Sequence, residues 1–78
     1  MNLNSVSLQP GQVFEIVNFV GDEVLRERLH EMGLRIGMQF KVLGRAPFGG
    51  PLLIRFNTSF LALRSEEVAC AQVKLSPA

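Results

Sequence analysis

Seventy-eight residues form one domain with no room for a second, and a chain this short buries only about 60% of its unfolded surface. Eight Lys and Arg against seven Asp and Glu give a formal charge of +1, and the cations are interleaved with acids, so the clustered positive charge of a nucleic-acid binder is missing. The single cysteine excludes an internal disulfide framework and fits a reducing cytosol, while 47% hydrophobic residues can supply a core.

The first residues, Met1-Asn2-Leu3-Asn4-Ser5, lack the basic and apolar regions of a signal peptide. The apolar runs fall well short of the ~18 residues of a spanning helix, so no direct membrane insertion is expected. Ser7 to Gln12 reads as a turn entry, with Pro10-Gly11 suiting a type II turn. Val13 to Val20 is rich in β-branched and aromatic residues and predicts a strand.

Asp22 is a candidate N-cap with Glu23 in the first turn behind it. Leu25, Leu29 and Met32 then share one helical face, which Val24 broadens, and Gly33 is placed to end the helix. This is the one inserted α-helix, over about residues 22–32. Gln39 to Arg45 predicts a second strand, with Phe40 and Val42 on one side and Lys41 and Leu43 on the other.

Ala46-Pro47-Phe48-Gly49-Gly50-Pro51 is a loop, because two Pro and two Gly leave little ladder capacity. Leu52 to Phe56 predicts a third strand with Leu52, Ile54 and Phe56 on one face, and Asn57-Thr58-Ser59 a tight hairpin. Phe60 to Arg64 predicts a fourth strand, and Ser65 caps a helical turn near residues 65–69. Gln72 to Leu75 is a last strand, and Ser76-Pro77-Ala78 a frayed end. Five short strands and one helix suit a mainly β fold, a small antiparallel barrel with the helix plugging one end, rather than a doubly wound sheet. Its short edge strands leave weak self-association open.

Chemistry is sparse. A single histidine, His30, cannot make a triad or a histidine metal cluster alone. Glu27, His30 and Glu31 could hold a metal sparsely, but a solvated helix face accounts for them. Glu66 and Glu67 diverge as neighbours, and Cys70, in an apolar run, reads as a small buried hydrophobe. Gly44 to Gly50 lacks the ending and the helix of a phosphate-binding loop. No catalytic, cofactor or metal-ligating residues are assigned. Phe14, Phe19, Phe40, Phe56 and Phe60 fall in strands, where core packing explains them. Phe48 differs, because a loop aromatic either anchors the loop on the core or is presented to a partner.

Leu29-His30-Glu31-Met32-Gly33-Leu34-Arg35-Ile36-Gly37 resembles the FeoA pattern of a leucine, an apolar residue, Gly-Leu and a later Gly. Leu8-Gln9-Pro10-Gly11, Ala46-Pro47-Phe48-Gly49-Gly50-Pro51 and Leu61-Ala62-Leu63-Arg64 are similar to further pieces of that family, in the same order over about residues 6–75. Ile36 stands where the family often has Pro, and Phe48 where Leu is common. The resemblance implies a single SH3-like domain spanning residues 1–78. It also implies a non-enzymatic cytoplasmic protein of ferrous iron uptake, acting on FeoB, a membrane transporter with a GTP-hydrolysing domain. A metal-sensing or metal-delivering module is the alternative. The same domain occurs in iron-dependent repressors of the DtxR type, but with no helix-turn-helix in these 78 residues a repressor role is not expected. The expected partner-binding residues are Ala46, Pro47, Phe48, Gly49, Gly50 and Pro51, with Arg26 and His30 on the helix second.

Overall fold

A computed structural model describes residues 8–76. Ser7 of the entry turn, the Met1 to Ser5 segment and the final Pro77-Ala78 lie outside the described residues. The elements in chain order are β1 (Val13–Phe19), α1 (Glu23–Glu31), β2 (Gln39–Arg45), β3 (Leu52–Phe56), β4 (Ser59–Leu63), α2 (Ser65–Val68) and β5 (Ala71–Leu75). The strands form one antiparallel sheet in the order β4-β3-β2-β1-β5. This is the mainly β architecture expected, with β4 and β5 as its end strands.

One cluster makes the core. Phe14, Ile16 and Phe19 of β1, Phe40 and Val42 of β2, the alternating Leu52, Ile54 and Phe56 of β3, and Val73 of β5 all point into it. β1 breaks strict alternation because its register with β5 shifts between Ile16 and Asn18. The extra residue, Val17, faces out, and the bulge returns Phe19 rather than Asn18 to the interior.

The entry turn forms as predicted: Gln12 N–H donates to Gln9 O at 3.3 Å, and Gly11 has φ +92°. α1 starts where Asp22 accepts the Val24 N–H at 2.8 Å. It ends in a Schellman motif. Gly33 N–H donates to His30 O at 3.0 Å and Leu34 N–H to Leu29 O at 3.1 Å, with Gly33 at φ +98°. The flanking Leu29 and Leu34 are both buried, which ties the helix end to the core. Val24, expected to widen the apolar stripe, is 63% exposed. Only Leu29 is fully buried, with Leu25 and Met32 partly so, because α1 meets the core along a narrow line.

Three further expectations shift. Phe60 is 65% exposed rather than in the core. The pairing Phe56↔Ser59 puts Leu61 and Leu63 on the inner side of β4 and turns Phe60 and Ala62 outward. The N-cap of α2 is Arg64, not Ser65. The buried Glu67 reaches back and accepts the Arg64 N–H at 2.8 Å, which satisfies the helix start without a serine. Ser76 is fastened rather than frayed: its N–H donates to Val13 O at 2.8 Å, and its hydroxyl accepts from Gln39 Nε2 at 3.0 Å.

Candidate functional site

The loop between β2 and β3 is a closed, tethered structure. Ala46 N–H donates to Pro51 O at 3.0 Å across its base, and Gly50 N–H to Pro47 O at 3.3 Å across its tip. The two residues inside that tip turn, Phe48 and Gly49, have φ +62° and +70°. Two positive φ values in succession mark a primed turn, whose twist matches that of the strands it joins. Pro47 and Pro51 stiffen either side.

The loop is also strapped to the start of α2. Arg45 Nε donates to Gly50 O and Arg45 Nη2 to Ser65 Oγ, each at 3.3 Å. Ser65 Oγ in turn donates to Gly49 O at 3.4 Å. Thus the serine displaced from its expected capping role holds the loop tip instead. Gly50 sits tightly inside, since a Cβ there would come within 2.7 Å of Ala46 Cβ.

On this tethered tip Phe48 is fully exposed, at 104%. The sequence left open whether it anchors the loop on the core or faces outward, and the structure settles it outward. A bulky residue at positive φ is a genuine backbone outlier. The fold therefore holds an aromatic in a strained conformation and gains no burial from it.

Arg26 and His30 lie elsewhere. They line a shallow groove of about 340 Å³ with Asn18, Phe19, Glu23 and Ile36. His30 Nδ1 donates to Arg26 O at 2.9 Å, and its ring packs on Phe19 at 5.0 Å between centroids. A carbonyl can only accept, so this bond commits Nδ1 as the protonated nitrogen. Arg28, two residues on from Arg26, instead faces α2 and approaches buried Glu67 at 4.0 Å. The loop residues do not line the Arg26–His30 groove, so the two candidate regions are separate surfaces.

Glu27, His30 and Glu31 do not gather into a ligand set: among the described residues no group of three or more His, Cys, Asp or Glu could hold a metal. Cys70 is buried, and its thiol donates to Glu66 O at 3.4 Å. Burial pushes its pKa up, Asp22 and Glu67 add to the rise, and Arg26 opposes it. It is the small buried hydrophobe expected. Among the described residues no helix is long and apolar enough to cross a membrane.

A sequence model described as the FeoA domain matches residues 1–75. The NMR structure of a FeoA-like protein from Clostridium acetobutylicum has a TM-score of 0.84 at 25% identity, covering 96% of this chain and 85% of that one. The FeoA protein of Chlorobium tepidum is 31% identical with a TM-score of 0.80, covering 96% of this chain and 70% of that one. A crystal structure described as an iron uptake regulatory protein (FeoA) is 25% identical with a TM-score of 0.80, covering 97% and 96%. No curated protein sequence matches the chain.

Proposed function

The chain belongs to the FeoA domain family, and from that membership we propose that it is a small accessory protein of ferrous iron uptake. It docks on the cytosolic part of a FeoB-type transporter and promotes or regulates transport by contact rather than catalysis. The description of one solved relative as an iron uptake regulatory protein supports this reading. So does the family's link to iron transport. The cytoplasm is the compartment that this role requires.

One observation carries the docking reading. Phe48 stands fully exposed on a loop that two prolines and the Arg45–Ser65 strap hold in place. A preorganised aromatic binds at low entropic cost, and aromatics of this kind dominate interface energetics. Ala46, Pro47, Gly49, Gly50 and Pro51 serve by shaping the loop. Arg26 and His30, with the groove they line, form a second and separate contact surface.

The test is binding of the purified protein to full-length FeoB and to its isolated GTPase domain, each with GDP and with a non-hydrolysed GTP analogue. Phe48→Ala should weaken binding by about tenfold or more while leaving the fold intact. No detectable binding of the folded protein to any form defeats the direct-partner reading. Unchanged affinity of Phe48→Ala removes the loop as the anchor.

A further inference from the structure

The end strand β4 is open in an unusual way. The two-residue turn Asn57-Thr58 makes Phe56↔Ser59 the hydrogen-bonded pair that closes the hairpin, and alternation makes Ile54↔Leu61 and Leu52↔Leu63 bonded pairs too. Phe60 and Ala62 therefore turn their N–H and C=O groups away from β3. The neighbouring ladder agrees with this parity, since Pro51 faces β2 and accepts from Ala46. Among the described residues no hydrogen bond reaches the outward groups of Phe60 or Ala62.

Among the described residues nothing guards this edge. Ser59-Phe60-Leu61-Ala62-Leu63 carries no charge, no Pro and no Gly, whereas the opposite end strand β5 carries the exposed Lys74. Charged edge residues are the usual defence against strand pairing. On the outer face of the same hairpin Leu53 is 43% and Phe60 65% exposed.

The geometry points to a second copy of this chain as the occupant of the edge, paired antiparallel with β4 about a two-fold axis at Leu61. This register sets Phe60 opposite Ala62 of the second copy, and the reverse. Those are the residues whose backbone groups point outward, so each such pair exchanges two hydrogen bonds. A register moved by one residue would set outward groups against inward ones. The side chains fit as well, because each phenyl lies across from a methyl on the outer face.

Charge favours the same arrangement. The axis meets no charged side chain. Arg55, whose guanidinium lies 5.6 Å from its own Phe60 ring, sits on β3 behind that phenyl, so the two copies' Arg55 side chains fall on opposite sides of the axis. Arg64 falls opposite the neutral Thr58 of the second copy. An edge contact this small belongs to the weak, transient class of interfaces.

Sedimentation equilibrium of the full chain from about 10 µM to 1 mM tests the assignment, a range suited to transient contacts. Amide hydrogen exchange at Phe60 and Ala62 is followed over the same range. Dimer should form as concentration rises, and those two amides should gain protection with it. Ala62→Lys restores the missing guard and should weaken the dimer by about tenfold or more. Phe60→Ala should weaken it too, and circular dichroism checks that both variants fold. Should Ala62→Lys fail to fold, Phe60→Ala and the exchange data on the parent chain decide. A monomer throughout overturns the inference. So does a dimer whose Phe60 and Ala62 amides exchange freely, or one that Ala62→Lys leaves intact. A dimer lost only in Phe48→Ala would place the loop at the contact and equally overturn it.

Discussion

Replacing Phe48 by Asn should stabilise the fold while removing the aromatic assigned to docking. Phe48 is fully exposed, so truncating it forfeits no burial. Its φ of +62° places a bulky side chain in the left-handed region, at a cost of about 1 kcal/mol. Asn enters that region readily, and Asn before Gly49 is the favoured pair for a primed two-residue turn. The expected gain is therefore about 1 kcal/mol, which in a domain of this size raises Tm by roughly 4–8 °C. Phe48→Val should act in the opposite sense, because β-branched residues tolerate positive φ least. Thermal and urea unfolding read by far-ultraviolet circular dichroism is the assay, since the chain has no Trp or Tyr. A Phe48→Asn variant with Tm at or below that of the parent would refute the strain argument. The same variant should lose affinity for FeoB, so the stability gain and the binding loss are read in one protein.

Leu29→Ala empties a fully buried site between α1 and the sheet. It should cost about 3 kcal/mol in urea unfolding, and a loss under about 1 kcal/mol would show that α1 is not anchored there. Gly33→Ala should cost about 1 kcal/mol from its backbone conformation alone, because the added methyl meets only the Phe56 ring edge, at an ordinary 3.7 Å. Glu67→Ala leaves the Arg64 N–H without its acceptor and should lower stability by about 1–3 kcal/mol. Cys70 gives a pH dependence. Its folded pKa lies above the ordinary 9.0, so the unfolded chain loses the proton first. Stability should then fall as pH rises through 9.0 and the folded value above it, and Cys70→Ala should flatten that fall.

The elements that depend on near neighbours were legible in the sequence. Asp22, the Leu25/Leu29/Met32 stripe and Gly33 define α1 through local capping and periodicity, and each behaves as its chemistry requires. The alternation in Leu52 to Phe56 placed β3 with its inner face assigned. What was hidden depends on strand pairing and on which of several competing groups takes a bond, neither of which periodicity reports. Val17 is apolar, and only the register of β1 against β5 turns it out as a bulge. Phe60 reads like a core aromatic until the hairpin pairing sets the parity of β4. Ser65 looks like a cap because the rival group, the Glu67 carboxylate, does its work from the far side of the turn.

The site divides the same way. Two Pro and two Gly marked residues 46–51 as a stiff loop, but composition alone leaves its turn type open. Pro47 would ordinarily take the second position of a type I or II turn. The twist of β2 and β3 instead demands a primed turn, which moves Pro47 to the first position and forces Phe48 to positive φ. The Arg45–Ser65 strap then fixes the tip from outside the loop, across twenty residues of sequence. A loop that only joined two strands would be better served by Asn or Gly at position 48, at no loss of packing. An aromatic there raises the cost of the turn and contributes nothing to the core. The docking role proposed for Phe48 would account for that cost, because the ring would then be buried against a surface beyond this chain.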